Sequence, residues 1–126
     1  MAVTPHDLVV EAKSQIKEVS TAEALALLGK RTIIDVREYD EYAAGHLPGA
    51  INIPRGVLEF KIGMVPECAN KDGAFLIYCR TSGRAALSTV QLQKIGYTNL
   101  VSMAGGFEAW NNENRPTEKP EPINFE

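Results

Sequence analysis

Ala74-Phe75-Leu76-Ile77-Tyr78 is an unbroken apolar run rich in aromatic and β-branched side chains. A strand with one wet face alternates apolar and polar residues, so a run without alternation has to be covered on both faces. A short loop follows, Cys79-Arg80-Thr81-Ser82-Gly83-Arg84, and then a stretch of mostly good helix formers from Ala85 to Ile95 that stops at Gly96. A buried strand running through a short loop into a helix limits the chain to α/β architectures, in which helices cover a mostly parallel sheet. Ligands of such sheets bind beyond the carboxyl ends of the strands, which is where Cys79 falls.

The same segment carries the chemistry. A thiolate is the reactive form of cysteine, and helix N-termini and neighbouring cations favour it. Successive backbone N–H groups in a tight turn also form a concavity suited to an anion. Cys79 therefore reads as a nucleophile in an anion cradle. Arg80, Thr81, Ser82, Gly83 and Arg84 line that cradle, with small residues that let backbone fold around a guest. A cysteine at a strand end is more often a small buried hydrophobe. The strand-to-helix position, the two arginines and the small loop residues together favour the reactive reading.

The remaining elements are consistent with this topology. Thr4-Pro5 opens an N-terminal helix whose Leu8, Val9, Ala12 and Ile16 share one face, and residues 1–18 form this segment. Ser20-Thr21-Ala22-Glu23 is a capping-box pattern, starting a helix with Ala24, Leu25 and Leu28 on one stripe and Gly29 at its end. Strands are predicted over 32–36, 51–53 and 99–103, and short helices over 37–42, 57–61 and 107–111. These belong to a domain spanning 19–114. From Arg115 to Glu126 the chain is rich in proline and charge, which predicts an extended or loose tail.

At 126 residues and 44% hydrophobic content, the chain has room for one core. Its net charge of −3 excludes the basic footprint of a nucleic-acid or anionic-membrane binder. No run is long and apolar enough to span a bilayer, and no basic-then-apolar leader is visible. Two cysteines, Cys68 and Cys79, are too few for a disulfide framework, and no His/Cys cluster has metal-ligand spacing. The reading is a cytoplasmic protein with no metal and no cofactor, its thiol kept reduced. Cys68 reads as incidental and Trp110 as a packing anchor.

Four ordered motifs add to this: Asp35-Val36-Arg37-Glu38 with Tyr42, Gly45-His46-Leu47-Pro48-Gly49-Ala50, Cys79-x4-Arg84, and Gly105-Gly106-x-x-Ala109-Trp110. Together they resemble the single-domain rhodanese (sulfurtransferase) family over about Val19 to Trp110. The resemblance implies a three-layer α/β/α sandwich around a mostly parallel sheet, and a catalytic Cys79 that carries sulfur as a persulfide. It implies a small-molecule donor, thiosulfate or a persulfide, and a thiol or cyanide acceptor. The alternative is a sulfur-relay or sensor module that hands the sulfur to a protein acceptor. In either case Arg84 braces the loop, Arg80 sits at its mouth, and Asp35 and Arg37 support the surroundings. Cysteine phosphatases with a related fold use a Cys-x5-Arg loop to fit phosphate. Only Arg80, Thr81, Ser82 and Gly83 separate Cys79 from Arg84 here, and Tyr78 stands where those phosphatases have histidine. Two positions depart from the family pattern. Ser82 replaces a common glycine, and Glu41 replaces an arginine of two-domain members that turn over thiosulfate.

Overall fold

The computed structural model describes residues 2–120. The strands are β1 (Glu18–Val19), β2 (Thr32–Asp35), β3 (Ile51–Asn52), β4 (Ala74–Tyr78) and β5 (Asn99–Met103). The helices are α1 (Pro5–Lys13), α2 (Thr21–Ala26), α3 (Tyr39–Ala44), α4 (Leu58–Lys61), α5 (Gly83–Lys94) and α6 (Gly106–Asn112). The strands form one sheet in the order β1-β5-β4-β2-β3, and all pairs are parallel. β4 occupies the centre, as its unbroken apolar run requires, and is buried from Phe75 onward.

Period-2 alternation along β4 divides the core. Phe75, Ile77 and Cys79 face one way, against Leu58 and Ile62 of the α4 segment and Ala85 and Leu92 of α5. Leu76 and Tyr78 face the other, against Ala24 of α2, Leu47 and Trp110 of α6. The thiol therefore points toward α5 because of the strand's own parity. Trp110 is fully buried, and its Nε1 donates to the carbonyl of Pro116 at 2.7 Å. Residues 115–120 run alongside the domain: Glu118 exchanges two backbone hydrogen bonds with His46, at 2.8 and 2.9 Å. The rest of the predicted tail, 121–126, lies outside the described residues.

Two of the expected apolar stripes are rotated. α1 packs on α5 through Val9 and Ala12, with Ala12 buried against Ala86 and Val90 and Ile16 beyond the helix joining the seam, while Leu8 is exposed. The small residues at Ala12 and Ala86 set this seam, and Leu8 falls at its edge. In α2 the helix closes at Ala26, so Leu27 and Leu28 turn onto the core beside Ala24 and Leu25 faces solvent. The capping box at Ser20–Glu23 forms as read, and the Thr4 cap of α1 is itself a capping box, closed by Asp7.

Candidate active site

β2 and β4 end side by side, with Asp35 in register with Tyr78, and the Val36 N–H donates to the Tyr78 carbonyl at 3.0 Å. The chain then turns through residues 79–82 into α5. The Cys79 Sγ accepts a hydrogen bond from the Ala85 N–H at 3.2 Å, and the thiol is only 1% exposed. Burial pushes the thiol pKa up. The amides of Ala85, Thr81 and Arg84 and the Arg84 guanidinium oppose that shift without overcoming it. The sequence expectation of a lowered pKa considers the helix end and the cations, whereas here desolvation is the larger effect.

What turns the loop's amides inward is the start of α6. The Phe107 N–H donates to the Cys79 carbonyl at 2.8 Å and the Glu108 N–H to the Arg80 carbonyl at 2.9 Å. Two otherwise unpaired first-turn donors of α6 thus take the loop's carbonyls, leaving its own N–H groups for the sulfur side. This approach needs Gly106. Its φ is +59°, and a Cβ there would overlap the Thr81 carbonyl oxygen and lie 2.5 Å from that of Arg80. Gly105, with φ +80°, enters α6 in the left-handed region as well.

The other loop residues have distinct settings. Ser82 has φ −155° and makes no side-chain cap, so that position needs no glycine. Thr81 is exposed, and Gly83 sits where a Cβ would come 3.3 Å from Val9 Cγ2 of α1. Arg84 binds Glu41 through both Nη atoms, at 2.8 and 3.0 Å. Arg80 is 70% exposed, its Nε 3.4 Å from Glu108 Oε2.

Asp35 and Arg37 lie together beneath the loop. Arg37 donates to both Asp35 carboxylate oxygens, at 2.7 to 3.1 Å, and to the Gly45 carbonyl at 2.7 Å, and its guanidinium covers the Phe107 ring at 4.3 Å. The Tyr78 hydroxyl donates to Asp35 Oδ2 at 2.6 Å and accepts from the Leu47 N–H at 3.1 Å. Burial and the facing carboxylate push the Tyr78 phenol pKa far up, so it stays a donor. Losing one partner of such a buried pair typically costs ~3–5 kcal/mol. These residues therefore hold β2, the connection at Gly45 and α6 in one arrangement, with Arg37 engaged through Nε and Nη2. His46, also buried, stacks on Tyr42 with ring centroids 3.8 Å apart. Cys68 is fully buried in a 3-10 turn, where burial pushes its thiol up to about 11.

A cavity of about 310 Å³ opens beside the loop between α3 and α6. Arg80 and Arg37 border it together with Glu41, Phe107, Glu108, Asn111 and Asn112, whereas Cys79 does not. Phe107 and the two asparagines carry no local sequence signature of a place beside this loop. A buried tyrosine at a strand end needs a partner for its hydroxyl, and that signal was available at Tyr78.

Substituting Gly106→Ala should force α6 off the loop. The added Cβ meets backbone, and the left-handed φ is unfavourable for alanine. Together these should lower unfolding free energy by more than about 2 kcal/mol in urea denaturation. An unchanged midpoint would show that the two segments are not in the contact described.

Comparisons with known proteins agree with this geometry. Residues 20–113 match the family model of the rhodanese-like domain. The thiosulfate sulfurtransferase GlpE of Pseudomonas entomophila is 31% identical over 99 residues, covering 77% of this chain and 86% of that protein. The solved human single-domain sulfurtransferase TSTD1 superposes with a TM-score of 0.71 at 30% identity, over 76% of this chain and 96% of that one. A structure from Rhodopseudomonas palustris, of unknown function and named as a possible tyrosine phosphatase, superposes at 0.83 with 30% identity, over 94% and 96% of the two chains. The α/β sandwich expected from the four motifs is thus the observed fold, and the chain belongs to the rhodanese-like domain family.

Proposed function

We propose that this protein is a sulfurtransferase that carries a sulfane sulfur on Cys79 as a persulfide, taking it from thiosulfate or another persulfide donor and passing it to a thiol or cyanide. The observation that carries the reading is the Cys79 Sγ seated against the Ala85 N–H, within a loop whose first two carbonyls are already taken by α6. In the first half-reaction the Cys79 thiolate attacks the outer sulfur of thiosulfate. An Sγ–S bond forms, the donor's S–S bond breaks, and sulfite leaves with the bonding pair. In the second, the acceptor attacks the terminal sulfur of the persulfide and Cys79 departs as thiolate. No external oxidant or reductant is consumed. The inward amides stabilise the anionic terminal sulfur as it forms.

Arg84 braces the start of α5, and the exposed Arg80 is placed to meet an approaching anion. The four-residue spacing between Cys79 and Arg84 favours a single sulfur atom over a phosphoryl group, even though one similar structure is named as a possible phosphatase. Among the described residues no helix is long and apolar enough to cross a membrane. A reducing cytoplasm suits a cysteine that must cycle through the thiolate.

Incubating the protein with thiosulfate or polysulfide should add the mass of one sulfur atom, removable by cyanide, and Cys79→Ser should take up none. Wild-type protein that stays unlabelled with both reagents would overturn the assignment. The pH dependence follows from the raised thiol pKa. Because only the thiolate reacts and thiosulfate stays ionised, the loading rate should climb with rising pH, about tenfold per unit, and level off only above the ordinary thiol value of ~8.5. A profile flat from neutral pH upward would mean that the thiolate is already formed.

A further inference from the structure

We propose that Glu41 sets the class of sulfur donor. By holding Arg84 in a two-point pair, it leaves the mouth of the loop charge-balanced. The adjoining cavity then takes an organic persulfide, R–S–SH, on an uncharged or zwitterionic carrier in preference to a small inorganic dianion. The inference rests on the sulfur-transfer reading above and narrows it.

Every arginine around the loop has a carboxylate partner. Arg84 is held by Glu41 through both Nη atoms. Arg37 is buried on Asp35. Arg80 pairs with Glu108 at 3.4 Å, but both side chains are more than half exposed, so that pair is weak. The Arg84–Glu41 pair is different in kind. It is two-point and only 37% and 32% exposed, and the guanidinium keeps the Glu41 pKa below the usual carboxylate range. A dianion arriving at this mouth meets a fixed carboxylate and an arginine whose fork is already occupied.

The cavity itself suits a larger guest. Its volume of about 310 Å³ is far more than an inorganic oxyanion fills. Phe107 offers an apolar wall, and the carboxamides of Asn111 and Asn112 can both donate and accept. Such groups match the ammonium, carboxylate or amide of an amino-acid-like carrier. Arg80, the residue after Cys79, borders this space, so a carrier seated there lies against the loop that holds the thiol. In the transfer, the Cys79 thiolate attacks the terminal sulfur of R–S–SH and the Sγ–S bond forms. The donor's S–S bond breaks, and the carrier leaves as thiolate and picks up the terminal sulfur's proton to depart as R–SH. Cys79 is left as the persulfide anion, with electrons balanced within the exchange.

The test compares second-order loading rates of Cys79 by thiosulfate and by cysteine persulfide, in wild type and in Glu41→Gln, read by mass spectrometry. Glutamine keeps the shape and one hydrogen bond to Arg84 but removes the charge. The thiosulfate rate should rise about tenfold, the size of the repulsion between a carboxylate and a dianion several ångströms apart in a water-like dielectric, with the thiosulfate-to-persulfide ratio rising alike. Added salt should shrink the difference between the two proteins. Asn111→Ala should slow cysteine persulfide more than thiosulfate, by about fivefold for one lost hydrogen bond. A ratio unmoved within about twofold, or both donors slowing together as a mere brace would cause, overturns the role of Glu41 while leaving sulfur transfer intact. Absence of any Cys79 loading in wild type overturns both.

Discussion

Two hydrogen bonds at the start of α6 organise the site. A loop that turns N–H groups toward the Cys79 sulfur has to dispose of its carbonyls, and buried carbonyls need donors. The Phe107 and Glu108 amides supply them, at 2.8 and 2.9 Å, to Cys79 and Arg80. Each segment satisfies what the other lacks: α6 has first-turn donors without partners, and the loop has carbonyls without partners. The contact is close enough that only glycine fits at position 106. The Gly105-Gly106 pair, remote from Cys79 in sequence, is therefore part of the same site.

Beneath that contact, the buried Asp35–Arg37 pair and the Tyr78 hydroxyl fix the sheet's carboxyl edge. Asp35 accepts from Arg37 and Tyr78, and Arg37 reaches on to the Gly45 carbonyl and lies over Phe107, the residue whose amide holds the Cys79 carbonyl. The charge of Arg37 is paired with Asp35 within this network, although the side chain still borders the cavity. In the proposed transfer, anion handling falls to main-chain donors and, at the rim, to arginines whose carboxylate partners set how much positive charge remains. A buried thiol with a raised pKa fits the proposed transfer: desolvation holds back the free thiolate, while the neighbouring amides would favour an anionic persulfide.

The sheet was legible because β4 is apolar without interruption, β2 nearly so, and each is flanked by turn residues. The loop was legible because a cysteine between that strand and a helix is an unusual placement. Other features were hidden. Leu8 and Leu25 carry the right hydrophobicity at the right period, but which edge of a stripe is buried depends on the facing helix, and the small Ala12–Ala86 contact decided it. The tie between Arg84 and Glu41 spans 43 positions and has no local signature. The raised pKa of Cys79 depends on the balance between burial and several amides, which a string of residues does not weigh. Glu41 was visible only as a departure from a family pattern, and its partner came from the fold.

The most direct measurement of the central claim is the backbone amide spectrum of the protein before and after sulfur loading. If main-chain donors hold the terminal sulfur, the amide protons of residues 80–85 should move downfield together on loading, with the largest changes from Thr81 to Ala85, and return when cyanide removes the sulfur. Loading that leaves those amides in place while the largest changes appear elsewhere would contradict the account.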